Sequence, residues 1–308
     1  MNLTFLSPSG GSATMPVCLF AYYSPDSRLP PHTRHLLSQI ASCGFTIHIA
    51  ASGLSDANAH LLQKDLADPA DPIAATVHPR PNTGLDFGAW QFLLAKGCAD
   101  NASEILFAND SVFGPLLPLQ PIMERMREKN FQIWGMVRSE AVVSHLQSWF
   151  LCMTRDALNH PAIQRIFNQP FNDMTKDEIV LHGELGLGLA IKASGLSTGA
   201  SWGSTRGLAR LLALNPMHAD WRTVLRSGNA PFIKTELLRD NPSGIASIHL
   251  WRAEIPDPTF FKPDWIAAYL AATPPRNRSG RASLRARAVQ AFASEDRRHA
   301  LTALLLGR

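Results

Sequence analysis

The sequence predicts an α/β protein built on a largely parallel sheet. Three observations lead there. Short apolar runs of strand length alternate with amphipathic stretches of helical period, separated by Gly, Pro and Ser breaks. Of 308 residues, 45% are hydrophobic and 18% charged, which suits a large core and excludes a disordered chain. The 20 Gly and 22 Pro follow no period, which excludes collagen-like and low-complexity classes.

The elements follow in order. VCLFAYY (17–23) is an apolar run that stops at Ser24-Pro25-Asp26, a buried strand entering a loop. Residues 32–43 place Leu36, Leu37, Ile40 and Ala41 on one helical face, and Gly44 ends the helix. FTIHIAAS (45–52) is a second strand, a polar helical stretch spans 55–66, and ATVHPR (75–80) is a third strand. Helical patterns at 88–97 and 121–129 bracket the strand EILFAND (104–110). FQIWGMV (131–137) and SWFLCMT (148–154) are further strands; helices are predicted near 155–168 and over 177–194, ending at Gly195. Beyond about residue 205 the pattern is mostly helical with Pro-rich connections. No internal repeat is present.

Charge divides the chain. Residues 276–308 hold eight Arg against Glu295 and Asp296, a net +6, so the rest carries −2 of the overall +4. The expected organisation is a flexible N-terminus (1–14), one main domain (15–273) and a basic helical C-terminal tail (274–308). In the tail Leu284, Ala288, Ala291 and Phe292 share a helical face beside arginines. That pattern suits peripheral contact with an anionic inner-leaflet surface, and equally a helix packed on the body or on a second subunit. There is no apolar run of about 18 residues and no basic leader ahead of an apolar segment, so a cytoplasmic protein is expected, possible membrane contact being peripheral. Cys18, Cys43, Cys98 and Cys152 are widely spaced without a CxxC pair; buried free thiols are expected, with neither a zinc site nor a disulfide framework indicated. Motifs of the common nucleic-acid domains are absent, and no nucleic-acid partner is expected.

Four segments carry candidate chemistry. Strand 104–110 delivers Asn109, Asp110 and Ser111 at its C-terminal end, where ligands bind in open α/β sheets. Those oxygens suit a hard divalent cation on a diphosphate, and they are also turn residues. In RPNTGLDFGAW (80–90), Asn82, Gly84, Asp86 and Gly88 lie between a strand and a helix; they suit phosphate or base contacts, or Asp86 is simply a helix cap. Gly183-x-x-Gly186-x-Gly188 has the wrong order for a dinucleotide fingerprint. Glu184, at or near a helix start amid apolar residues, suits a general base in a partly apolar cleft, or a solvent-facing side chain. Lys234 and Arg239 suit phosphate neutralisation or surface solvation. Trp90, Trp149 and Trp221 lie beside polar motifs, where aromatic faces can stack on sugars and bases. His145, His182 and His249 lack a metal-ligand spacing and read as structural histidines.

Together these segments resemble a known family. RPNTGLDFGAW, EILFANDSVFGPLLPL, FQIWGM, SHLQSWFLCMTRDAL, ELGLG and NPMHADW…GNAPFIKTELLRDNP stand in the order found in the rhamnan synthesis protein F family, covering roughly 17–245. HLQSWF and NDSVFGP are its specific blocks. The resemblance implies a glycosyltransferase of bacterial cell-surface polysaccharide or lipopolysaccharide assembly. It also implies a GT-A-like, Rossmann-type sheet flanked by helices, with a helical C-terminal extension. By analogy with inverting enzymes of that fold, Glu184, eleven residues before Gly195, takes the catalytic-base position. Asp110 with Asn109 or Ser111 would hold Mg²⁺ or Mn²⁺ on the diphosphate. Tyr22, Tyr23, Ser24, Asn82, Gly84 and Asp86 would contact the nucleotide-sugar donor. Lys234 and Arg239 would stabilise its diphosphate. His145, Gln147 and Trp149 would meet a glycan or lipid-linked glycan acceptor. The metal motif has one carboxylate where the broader class often has two, and the base is Glu where Asp is commoner. The family suggests dTDP-L-rhamnose as donor. The alternative is a catalytically inactive module that keeps nucleotide-sugar or glycan recognition.

Overall fold

Strand β1 (Val17–Tyr23) is buried on both faces until Tyr23, which is what a central parallel strand requires of a continuous apolar run. Its side chains alternate between two cores. Cys18, Phe20 and Tyr22 enter one; Val17, Leu19 and Ala21 enter the other. The computed structural model describes residues 15–23, 27–203, 214–276, 292–295 and 297. The expected flexible segment 1–14 and most of the expected tail lie outside the described residues.

Parallel partners flank β1 on both sides: β2 (Thr46–Ser52) and β4 (Glu104–Asn109). β3 (Ala75–Arg80) pairs parallel with β2 at the sheet edge, where the proline at position 79 removes no ladder bond the sheet needs. Beyond β4 the sheet is mixed. β8 (Phe150–Thr154) runs antiparallel to β4 and β6 (Ile133–Ser139), and β6 also carries antiparallel β7 (His145–Leu146) and parallel β9 (Thr198–Gly203). The result is an eight-stranded, mostly parallel sheet, as the sequence predicts.

Helices cover both faces. One core holds α1 (Pro31–Ser42), α2 (Asp56–Leu66) and α4 (Gln120–Glu128); the other holds α3 (Leu85–Ala95), α5 (Arg155–Leu158), α6 (Pro161–Phe167) and α8 (Gly186–Ser194). The chain moves outward from β1 to β3 and then returns across β1 to β4. The sheet's switch point therefore lies between the C-terminal ends of β1 and β4. A third core joins Phe113 and Leu116 to Trp221, Ile233, Leu237, Phe261 and Ile266 of the C-terminal helical region.

Three local differences from the sequence pattern have physical causes. The helix expected over 155–168 breaks at Pro161, which starts a new helix at its own N1 position. The helix expected over 177–194 is one helical run in three parts: α7 (Lys176–Ile179), a π-helical turn (Val180–Leu185) and α8. Glu184 thus sits inside the run, not at its start; the start is capped by Thr175 and Glu178. The short ladder of β5 (Val112–Phe113) with β10 (Ile233–Lys234) is too brief to leave a period in the sequence. Within the tail, Glu295 caps the helix Trp221–Arg226 through the backbone N–H groups of Arg222 and Thr223, at 2.6 and 3.0 Å. At that point the tail packs on the body.

The glycines of the 183–188 segment serve close packing. A Cβ on Gly183 would lie 2.9 Å from the Phe87 ring, and one on Gly188 would lie 2.6 Å from His145 Cβ. The second obstacle sits next to backbone and cannot swing away. Helix propensity alone would make Gly188→Ala stabilising by about 1 kcal/mol; overpacking costs about 1–3 kcal/mol. The expected outcome is net destabilisation, read as a lower urea midpoint at unchanged slope.

Candidate active site

The β1–β4 pairing ends at Ala21 and Asn109, and the candidate site begins there. Asn109 is buried and its carboxamide ties three elements together. Its Nδ2 donates to Asp86 Oδ2 at 2.6 Å; its Oδ1 accepts from Ser111 N–H at 3.0 Å and Ser111 Oγ at 2.6 Å. Asn109 is therefore the turn-forming residue of the motif, and Asp110 is left at the cleft. Asp110 accepts a long bond, 3.5 Å, from the backbone N–H of Tyr23. Burial and the neighbouring Asp86 push its carboxyl up to about 7. Arg276, at the start of the tail, opposes that shift and so adds a cation which the sequence reading did not assign to the site.

Asp86 is not a helix cap. Gly84 occupies the N-cap of α3 with φ +68°, and Asp86 lies in the first turn. Burial raises its carboxyl as well; Asn109 and Lys234 oppose the rise, while Glu184 adds to it. Gly84 is required here: a Cβ would lie 2.9 Å from Asn172 Oδ1 and from the Gly88 Cα, and Leu85 behind it is also left-handed, at φ +47°. Two successive left-handed residues turn the chain sharply enough to bring Asp86 under Asn109.

Lys234 reaches the cluster through the β5–β10 ladder, which pairs it with Val112. Its ammonium donates to Ser111 Oγ at 3.4 Å and lies 5.4 Å from the Trp149 ring centre. Burial lowers its pKa, and Glu184, Glu236 and Asp86 act against the loss of its charge. Arg239 is engaged elsewhere. Its guanidinium is bidentate on Asp240, at 2.8 to 3.2 Å, and both side chains are nearly buried.

Glu184 enters from the π-helical turn, a distortion that often marks functional sites. Its Oε2 accepts from Ser148 N–H at 3.0 Å and from Ser148 Oγ at 2.5 Å. Its Oε1 lies 3.4 Å from His145 Nε2. Burial would raise the carboxyl, but His145 and the two Ser148 bonds outweigh it and hold Glu184 at about 2. His145 responds in kind: burial lowers it, yet Glu184 and the Val143 carbonyl bring it above 6.5. Gln147 and Trp149 lie in the core beneath this pair. Trp149 Nε1 donates to Gln147 Oε1 and Gln147 Nε2 to Asn215 Oδ1, each at 2.8 Å.

On the donor side Tyr22 is buried, its hydroxyl donating to the Arg28 carbonyl at 3.3 Å. Tyr23 is exposed. Its ring lies where a Cβ on Gly53 would be 3.3 Å away, and that same Cβ would be 3.9 Å from Asn82 Cβ. Tyr23, Gly53 and Asn82 thus adjoin at the ends of β1, β2 and β3. Gly53 was not singled out from sequence; a glycine directly after a strand was its only signal. Ser24 lies outside the described residues.

The sequence profile of rhamnan synthesis protein F matches residues 46–273, most of the chain and nearly all of this site. The chain belongs to the rhamnan synthesis protein F family. Two sequences of the virulence protein VirA of Vibrio anguillarum, one from strain ATCC 68554 / 775, are 27% identical over 222 residues, covering 61% of this chain and 69% of theirs. Among solved structures, the glycosyltransferase GlyE of Streptococcus pneumoniae TIGR4 superposes with a TM-score of 0.41 at 9% identity. That superposition covers 87% of this chain and 66% of GlyE, just under two thirds of its length.

The pairing of Glu184 with His145 sets a pH window. Glu184, depressed, contributes stability above its ordinary 4.5 and loses it as pH falls toward about 2. His145, raised, contributes below 6.5 and loses it as pH rises through its folded value. In Glu184→Gln, burial is largely unopposed, so the His145 pKa is expected to fall below 6.5. An NMR titration of the imidazole checks this.

Proposed function

We propose that the protein is a glycosyltransferase that moves a sugar from a nucleotide diphosphate to a glycan acceptor, with inversion at the anomeric carbon. The observation that carries this reading is the electrostatic coupling of Asp86 to Asp110, Glu184 and Lys234 beside the sheet's switch point, in a chain of the rhamnan synthesis protein F family. The family favours dTDP-L-rhamnose as donor and a cell-surface polysaccharide or lipopolysaccharide as product.

The exposed Tyr23 ring beside Gly53 and Asn82 offers a flat face for the base. Lys234 faces the diphosphate and stabilises charge as the leaving group departs. Asp110, with the Ser111 hydroxyl, would hold Mg²⁺ or Mn²⁺. One carboxylate and a hydroxyl fit a hard cation that takes its remaining ligands from phosphate and water. When bound, such an ion supplies Lewis-acid screening of the diphosphate. Glu184 accepts the acceptor hydroxyl's proton at Oε1, which has the longer contact, 3.4 Å to His145 Nε2, while Oε2 is held by two shorter bonds from Ser148. A carboxylate at about 2 is ionised at neutral pH and a weak base, so proton transfer trails the attack on the anomeric carbon. His145 holds that carboxylate in place and ionised.

No helix among the described residues is long and apolar enough to cross a membrane. The +6 tail supports peripheral contact with an anionic surface, where a lipid-linked acceptor would lie. Undiminished liposome co-sedimentation of a chain ending at Thr273 would remove that part of the reading.

The test is nucleoside diphosphate release and sugar transfer from a panel of nucleotide sugars with Mn²⁺. Asp110→Ala and Glu184→Gln should each lower turnover by on the order of 10²–10⁴-fold with the fold intact, and Lys234→Ala by on the order of 10²-fold. Near wild-type turnover in Glu184→Gln would dismiss it as the base. A nucleotide sugar that raises the melting temperature without being turned over would favour the inactive binding module instead.

A further inference from the structure

A second cluster of ligand-type side chains lies away from this cleft, on the edge of the sheet. His48 stands on β2 and His78 on β3. The register pairs His48 with Thr76 and Ala50 with His78, so the two histidines are diagonal neighbours on one face, within reach of each other. It is the face covered by α3, since Ala50 packs with Phe87, Trp90 and Leu93. The third member comes from the end of α3. There Gly97, at φ +75°, turns the chain left-handed, and the Cys98 and Gly97 N–H groups close on the Leu93 and Leu94 carbonyls at 3.1 and 2.9 Å. That helix stop aims Cys98 back at the histidines.

The ligand atoms converge. His48 Nδ1 and His78 Nε2 are 3.0 Å apart, and Cys98 Sγ is 3.8 Å from His78 Nε2. All three ligand atoms lie within 4.8 Å of one another, and all three residues are half-buried. A tetrahedral zinc with bonds of about 2.0 Å to nitrogen and 2.3 Å to sulfur sets its ligands about 3.3 Å apart (N–N) and about 3.5 Å apart (S–N). The two closest spacings, 3.0 and 3.8 Å, straddle those values. Among the described residues this is the only group of three or more His, Cys, Asp or Glu side chains converging on one point. Lys96, which acts electrostatically on His78 and Cys98, lies over the Phe92 ring at 5.2 Å.

We propose that His48, His78 and Cys98 form a site for one zinc-class transition-metal ion, with water as fourth ligand. Two imidazoles and a thiolate select zinc over the hard cations that suit the Asp110 cleft. Binding sends the Cys98 thiol proton to water as the sulfur–metal bond forms. The ion would staple β2, β3 and the end of α3 to one another. β3 and α3 flank the 80–90 segment that carries Asn82, Gly84 and Asp86, so the staple stiffens the donor side of the cleft from outside. The sequence hid this site because the ligands are 30 and 20 residues apart and share no short motif.

The test is a titration of the metal-stripped full chain with Co²⁺. Expected are one Co²⁺ per chain, visible bands of tetrahedral cobalt, a near-ultraviolet sulfur-to-cobalt band, stoichiometric bleaching by Zn²⁺ and a raised melting temperature. Cys98→Ser should remove the sulfur band, His78→Gln should weaken binding at least tenfold, and Asp110→Asn should leave both unchanged. No cobalt band at saturation in the wild-type chain would overturn the site and leave a histidine–histidine hydrogen bond in its place. An undiminished sulfur band in Cys98→Ser would place the metal on another cysteine and overturn it equally.

Discussion

Asp86 is a half-buried carboxylate that feels two others, Asp110 and Glu184, and the surrounding structure is arranged to tolerate them. Asp86 and Asp110 are both pushed upward, by burial first and by other carboxylates second. Such a cluster is costly unless cations or donors meet each oxygen. Each nearby element supplies one. The β5–β10 ladder exists over two residues a side and delivers Lys234. The π-helical turn rotates Glu184 onto Ser148 and His145. The Asn109 carboxamide satisfies Asp86 and shapes the turn behind Asp110. Among the described residues, what remains under-compensated is Asp110, which the Tyr23 N–H reaches only at 3.5 Å, beside its own backbone N–H. The cation proposed for Asp110 would complete the set.

Rigidity around the cluster comes from close approach more than from area. Gly183 against Phe87 and Gly188 against His145 let the helical run lie on the sheet and on α3 without a side chain between. Gly84 and Leu85 hold a left-handed turn that two L-residues with side chains would resist. Preorganisation of this kind fixes the carboxylates before substrate arrives, which is where electrostatic catalysis draws its advantage.

The sheet was legible because it is buried on both faces. VCLFAYY and EILFAND read as strands for the same reason that β1 and β4 sit at the centre. The site was legible where a strand end met polar residues, as at Asn109–Ser111. Three features were not. The route that brings Lys234, a cation the sequence did offer, to this place depends on a two-residue ladder with no period. The geometry of Glu184 depends on one extra residue in a helical turn, which leaves the apolar spacing nearly unchanged. The pairing of His48, His78 and Cys98 depends on strand register and a helix stop, neither of which a linear motif records. Gln147 and Trp149 share a block with His145, but their burial follows from strand direction, and that emerges only once β7 and β8 are paired with β6.

The most direct measurement is calorimetry of a nucleoside diphosphate binding to the wild-type chain and to Asp110→Asn, each with and without Mn²⁺. If the carboxylate cleft is completed by a cation that the diphosphate brings, Mn²⁺ tightens binding to wild type at least tenfold, about 1.4 kcal/mol, and leaves Asp110→Asn indifferent. Equal affinities with and without Mn²⁺ in the wild-type chain, or an undiminished Mn²⁺ effect in Asp110→Asn, would contradict it.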